Sequence, residues 1–362
     1  MKILDKYLLK KYFSSFIFTI VLLIPIAIAI DVSEKIRRFL SHDDLSVFEI
    51  AKDYYINFVI FYTNMFMPLA LFIAVILFTS KLASNTEIIA MNSGGISFSR
   101  VSKPFLFGAF IIFLVAFFAN HFVVPNANKE KETFEEKYLR NRKHAKNSVQ
   151  NISLKLNKNE DYIYIKNFNL INNSGNYFSY EHFEDLKLKY KITGRFIKYN
   201  EKDSTFTLKR YKKRHILKEN DLIEKGQKFD TVFNFKPSDL VYVDYLAKEM
   251  NSIKLYKHIQ KSKERGIKNL NSYKVELHKR SSVPTSAFIL TIIAFSLAQK
   301  KKRGGMGINL ALGVALMFIY VFFMKIVEVL GASATSNPLF LVWLPNILFG
   351  ILALYLYLHA KK

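Results

Sequence analysis

The sequence predicts a membrane α-helical bundle of six transmembrane helices, arranged three and three, with an all-β water-soluble domain inserted between the halves. Three observations carry this. The 362 residues are 51% hydrophobic yet include 53 lysines and arginines, a combination that a single globular core does not accommodate. The apolar residues crowd into 12–124 and 283–358, and the segment between them changes to a two-residue alternation. Of the 53 basic residues, 35 lie between Lys129 and Arg280 with 20 of the 29 acidic ones, so the middle carries +15 of the net +24.

The spans come in order as Tyr12–Ile30, Ile56–Thr79, Pro104–Val124, Val283–Ala298, Ile308–Leu330 and Phe340–Leu358. Each approaches the roughly 20 apolar residues needed to cross the hydrocarbon core. The fourth is short, and its flanks Lys279-Arg280 and Lys300–Arg303 suit snorkelling. Pro25 predicts a kink in the first span. That span ends in Ile30-Asp-Val-Ser-Glu34 with no small-x-small site, so it is expected to be retained rather than cleaved as a signal peptide. This divides the chain into 1–124, 125–280 and 281–362.

Loop charge predicts the orientation. Placing both termini in the cytoplasm collects Lys2, Lys6, Lys10, Lys11, Lys81, Arg100, Lys103 and Lys300–Arg303 on that side, opposed only by Asp5 and Glu87. The first outer loop, Asp31–Tyr55, has more acids than bases, and Gly331–Leu339 has no charge. Long domains are exempt from the positive-inside rule, so the basic middle belongs outside.

Within the middle, a charged helical stretch (Lys129–His144) precedes alternating runs at Val149–Leu156, Tyr162–Lys166, Leu186–Ile192, Arg195–Tyr199, Thr205–Leu208, Thr231–Phe235 and Leu240–Val243. Turn residues such as Asn172–Gly175 and Asn200–Asp203 bound them, predicting an antiparallel sandwich, jelly roll or open barrel. From Asn251 a basic amphipathic helix follows, with Ser252 as its cap and Gly266 as its end. The cationic excess fits either a lysine-rich solvated surface or an anionic partner.

Several chemistries are missing from the sequence. It has no cysteine, hence neither disulfides nor thiolate metal sites. Gly304-Gly305-Met306-Gly307 lacks the lysine of a phosphate-binding loop, and neither H-E-x-x-H nor G-x-S-x-G occurs. Asp43-Asp44 reads as a solvated loop pair. No catalytic residue, metal site or nucleic-acid motif is predicted.

Two places remain. The loop between spans two and three, about 81–95, reads as a short helix with Leu82, Ile88, Ile89 and Met91 as apolar contacts, Glu87 as a carboxylate, and Gly94-Gly95 as its end. It suits either docking into a groove on a soluble partner or capping the bundle. Inside span five, Lys325 and Glu328 stand at i,i+3, which fits an ion pair or the wall of a polar cavity. Lys35, Arg37 and Arg38 follow span one and suit lipid phosphates or a helix-end anchor.

The segment Glu87-Ile-Ile-Ala-Met-Asn-Ser-Gly-Gly-Ile-Ser97 resembles the coupling segment of the LptF/LptG lipopolysaccharide-export permeases. Tyr273–Arg280 followed by Pro284 is similar to that family's approach to its fourth span, and Trp343-Leu-Pro-Asn346 to its last. The resemblance implies the transmembrane subunit of an ABC transporter that extracts lipopolysaccharide from the inner membrane of a Gram-negative bacterium and passes it to a periplasmic bridge through β-jelly-roll domains. It implies as partners a cytoplasmic LptB-like ATPase dimer, which binds ATP and Mg, a second homologous permease chain, and an LptC/LptA-like bridge protein. This chain would hold no cofactor and be no enzyme. Glu87, Ile88, Ile89, Met91, Gly94 and Gly95 would meet the ATPase, and spans one and five would form the gate. Arg37 and Arg38 match the family's basic pair, whereas Asp31 stands where some relatives carry lysine. Lys325, Glu328 and Lys35 are assigned to lipid from their charge and position. Rival readings are a lipoprotein-release or cell-division type permease, whose outer domain follows its first span, and a membrane-anchored sensor or scaffold.

Overall fold

The computed structural model describes residues 2–361 except 43–44, 140–147, 157–160, 185–186, 202, 218–219, 238–239, 241–243, 265–269, 300–304 and 334. The chain forms two compact units, one of Met1–Leu139, Tyr245–Leu255 and Asn271–Lys362, the other of Arg140–Asp244 and Tyr256–Leu270.

In the first unit, α1 (Ile3–Phe39), α2 (Val47–Ser84), the short α3 (Glu87–Ser93) and α4 (Phe98–Leu139) precede the sheet. After it come α5 (Asp244–Glu249), α6 (Ser252–Glu264), α7 (Asn271–Ala298), α8 (Gly305–Gly331) and α9 (Pro338–Lys361), α6 running into the second unit. Six of these are long and apolar enough to cross a membrane, as predicted.

Their burial differs in a way that sorts them. In the apolar window of α7, 61% of residues are buried, and 44% in α2, against 11% in α1 and 22% in α8. Thus α2 and α7 form the centre of the bundle, while α1 and α8 offer apolar faces to whatever surrounds the chain. Ala70, Leu71, Ala74, Val75 and Ile76 of α2 and Ala287, Leu290 and Ala294 of α7 are fully enclosed. Small side chains let the helices approach closely. At Gly108 a Cβ would stand 2.8 Å from the Tyr12 ring, so α1 and α4 meet there on glycine.

The spans are longer than hydropathy predicts. α1 continues through Lys35, Arg37 and Arg38 instead of opening into a loop after Ile30, and Pro25 sits inside it without interrupting it. α7 begins at Asn271, not Val283, which corrects the short fourth span. Its charged first half is a place where hydropathy sees an end and tertiary structure provides partners. Arg280, 2% exposed, does not snorkel; it donates to the Ala247 carbonyl at 2.8 Å and to Ser252 Oγ at 3.0 Å and lies 3.4 Å from Glu276. Ser252 is therefore spent on Arg280, and the cap of α6 is Asn251, whose Oδ1 accepts from the Lys254 N–H at 2.9 Å. Buried hydrogen bonds join the helices: Tyr12 with Thr291 at 2.9 Å, Tyr320 to Asn346 at 2.9 Å, and Asn346 to the Ser282 carbonyl at 2.7 Å.

The second unit holds a six-stranded antiparallel sheet in sequential order: β1 (Ser148–Lys155), β2 (Asp161–Asn169), β3 (Ser174–Glu184), β4 (Lys187–Asn200), β5 (Thr205–His215) and β6 (Leu222–Thr231). The described strands follow as a meander, so the crossovers of a jelly roll are not among them. The runs at Leu186–Ile192 and Arg195–Tyr199 merge into β4. The expected turn at Asn172–Gly175 lies in the β2–β3 connection, its last two residues already opening β3, and β6 ends where Thr231–Phe235 was expected to begin a strand. Leu240–Val243, Gly266, Asp43-Asp44 and Lys300–Arg303 fall wholly or partly outside the described residues.

One line crosses all six strands: Asn151, Lys166, Tyr177, Arg195, Arg210 and Gln227 lie opposite one another, and ladder pairing skips each step between them. Asn151, Tyr177 and Arg210 adopt φ of 51°, 54° and 50°, a left-handed backbone that costs an L-residue about 1–2 kcal/mol. Alternation slips by one residue here. In β2 the buried positions run Asp161, Ile163, Ile165 and then Phe168; in β4, Ile192, Gly194 and then Ile197. The slip keeps one apolar face continuous, and Ile163, Ile165, Phe168, Phe178, Ile197, Phe206 and Leu208 form its core.

Candidate functional site

A cavity of about 320 Å³ opens among α2, α4, α5, α7 and α8. Its wall is apolar, with Met65, Leu69, Met317, Phe318, Val321 and Met324, and its charged edge holds Lys248, Lys279, Arg280 and Lys325 against Glu276 and Glu328. Glu328 is the hinge of that edge. Its Oε1 accepts from Lys279 Nζ at 2.9 Å and its Oε2 from Lys325 Nζ at 3.1 Å. One carboxylate thus serves two ammonium groups, and Lys325, whose side chain is 63% exposed, keeps donors to spare. An apolar wall beside a cationic edge is chemistry for an anionic amphiphile.

The structure brings the predicted pair Lys325 and Glu328 together, and adds Lys279, which the sequence marks only as a flank of a span. Nothing local signals its role, because it lies 49 residues from Glu328.

The basic residues of α1 do not line this cavity. Lys35 is committed to an internal cluster: its Nζ pairs with Asp31 at 2.7 Å and Glu135 at 3.0 Å and donates to the Tyr54 hydroxyl. The Tyr54 hydroxyl in turn lies 3.1 Å from both Asp31 and Glu135 and shares its one proton between the two carboxylates. Two π-helical stretches, Ile50–Tyr55 in α2 and Glu135–Leu139 in α4, carry Tyr54 and Glu135 into that cluster. Asp31 is thus the partner of Lys35. Arg38 donates to the Leu139 carbonyl at 3.1 Å. Arg37 is exposed and has no ion-pair partner among the described residues.

At the end of the bundle where the termini lie, α3 starts from Thr86 in the left-handed conformation, φ 61°, and stops at Gly94 and Gly95, the latter at φ 77°. Glu87 accepts from the Tyr7 hydroxyl of α1 at 2.8 Å. Asp5 and Arg100 pair nearby at 2.7 Å. Leu82 and Ile88 are buried in the bundle core and Met91 packs on its edge, so these three hold the segment in place. Ile89 is 52% exposed and, with Ala90 and Asn92, forms the outward face.

No curated protein matches the chain. The family model described as lipopolysaccharide export system permease LptF/LptG matches residues 6–359. With nearly every residue covered, and with six spanning helices around an inserted β unit, the chain belongs to the LptF/LptG family of lipopolysaccharide export permeases.

Proposed function

We propose that this chain is one of two paired permease subunits of an ABC exporter, that it extracts lipopolysaccharide from the inner membrane, and that it hands the lipid to a periplasmic bridge protein. The observation that carries the reading is the cavity, whose apolar wall suits acyl chains and whose Lys325–Glu328–Lys279 edge suits phosphates. The sparse burial of α1 and α8 supports them as the helices of a lateral gate that a second permease chain completes. Arg37 and Lys325 are the residues we assign to lipid phosphates; Lys35 and Arg38 set the geometry of the gate helix instead.

Removing a multi-acyl lipid from a bilayer costs about 0.8 kcal/mol per CH₂ exposed. A chain without a nucleotide site must import that work. We assign its reception to α3, with Ile89 and its outward neighbours in a groove of a cytoplasmic ATPase dimer and Glu87 relaying movement to α1. This places both termini in the cytoplasm and the sheet in the periplasm.

The test is affinity purification of the chain from membranes. Recovery of an ATPase and a second six-span chain with the wild type, and loss of the ATPase with Glu87→Lys, is expected. An unchanged complex with Glu87→Lys, or no ATPase at all, overturns the reading in favour of a membrane-anchored scaffold.

A further inference from the structure

Outside the bundle, the outward face of strands β4–β6 concentrates positive charge in an unusual register. Lys209 stands opposite Lys228, and Lys212 opposite Lys225. Between these two steps, the skipped row places Arg195 opposite Arg210. Like charges directly across a ladder destabilise it, so a sequence under stability pressure alone would alternate them. Three cations on this face are answered: Lys191 by Glu181 at 2.7 Å, Lys228 by Asp230 at 2.9 Å, and Arg214 by Asp221. Arg195, Lys198, Lys209, Arg210, Lys212 and Lys225 are exposed and have no ion-pair partner among the described residues.

A second feature adjoins the first. At the end of the β5–β6 hairpin, Leu217, Leu222 and Ile223 are 62%, 63% and 46% exposed. Ile223 is the cross-strand partner of Arg214 and so shares the cationic face, whereas Leu222, the partner of His215, faces the other side at the end of the hairpin. A soluble polyanion has nothing to offer three exposed aliphatic side chains, and an apolar protein surface has nothing to offer six unanswered cations. An interface of phosphates over hydrocarbon offers both. The cations also spread in two dimensions over three strands, about 4.8 Å apart from strand to strand, which suits a plane of headgroups better than a single extended chain.

We propose that the outward face of β4–β6, with the tip of the β5–β6 hairpin, docks on an anionic lipid surface, the aliphatic tip entering the acyl boundary and the lysines and arginines resting on the phosphates. This site is separate from the cavity of the helical bundle and does not depend on what that cavity carries.

The absence of native cysteine makes the test direct. Ile223→Cys in the full chain, labelled with an environment-sensitive fluorophore, is placed in nanodiscs of phosphatidylcholine with and without phosphatidylglycerol, and vesicles of the same two compositions carrying nitroxide lipids are added. Blue shift and nitroxide quenching only where phosphatidylglycerol is present are expected. Lys212→Gln and Lys225→Gln should each weaken the response about fivefold, and salt should suppress it. Equal response in both lipids, or no quenching in either, overturns the proposal. So does protection of these lysines from acylation by inositol hexakisphosphate without lipid quenching, which would assign the face to a soluble polyanion. Hydrogen exchange in β5–β6 checks that each variant keeps its sheet; should either lose it, the comparison of the two lipids with the labelled wild-type background still decides.

Discussion

The Tyr7 hydroxyl donates to the Glu87 carboxylate at 2.8 Å, joining the first turns of α1 to the first residue of α3, 80 positions away. The bond is exposed, so its direct worth to stability is small, and its interest lies in what it connects. α3 is the segment we assign to the ATPase, and α1 is the least buried span.

Tyr7→Phe is therefore expected to change stability by no more than about 0.5 kcal/mol and to leave the complex assembled. It should raise the amount of ATP hydrolysed per lipid released in a reconstituted transporter. Glu87→Lys should instead lose the ATPase on purification. Equal coupling ratios for Tyr7→Phe and wild type would remove Tyr7 from the relay.

Lys279→Ala leaves Glu328 with Lys325, whose side chain is mostly in solvent. Uncovering a half-buried carboxylate should cost about 1–3 kcal/mol, below the about 3–5 kcal/mol of a fully buried pair. Thermal unfolding in detergent measures it. Adding Glu328→Gln should recover part of the loss, because it removes the charge that Lys279 served.

Gly108→Ala places a methyl group 2.8 Å from the Tyr12 ring. That ring is 1% exposed, bonded to Thr291, and packed edge-on against Phe13, Phe78 and Phe105, so it has nowhere to go. Destabilisation of about 1–3 kcal/mol is expected, with Tyr12→Leu in the same chain reducing the penalty. A melting temperature unchanged by Gly108→Ala would show that α1 and α4 separate freely at this point.

His182 Nδ1 lies 2.5 Å from Asp161 Oδ1, joining β3 to β2, and this hydrogen bond to the carboxylate raises the imidazole pKa above its usual 6.5. A raised folded-state value means that the stabilisation is complete below about pH 6.5 and fades as pH rises through the higher folded value. Hydrogen exchange in β2 and β3, corrected for intrinsic rates, should show greater protection at pH 6 than at pH 8. His182→Gln should flatten that difference. A wild-type profile with the opposite slope would contradict the assignment.

Parts of this molecule were legible one residue at a time. Six apolar runs announce six spans because hydrocarbon leaves no other partner for a peptide group. Val149–Leu156 and Tyr162–Lys166 announce β1 and β2 because their alternation separates a wet face from a dry one. β3 and β6 were illegible for the complementary reason: Ser174–Glu184 and Leu222–Thr231 carry polar residues on both faces and are strands because of the neighbours they pair with. The pair Lys325 and Glu328 was legible because charge inside a span demands an explanation, and the segment around Glu87 because its motif is local.

By itself, then, the sequence determined the number of spans, the presence of a β insertion and the family, since each depends on hydropathy, periodicity or a contiguous motif. Only the tertiary structure decided that Lys35 answers Asp31 and Glu135, that Lys279 completes the cavity edge, that α7 starts 12 residues before its apolar stretch, and which face of α3 remains outward. Each of these depends on pairing groups distant in the chain, and the energy of a charge in an apolar surrounding is set by the partner it finds there, which no local pattern encodes.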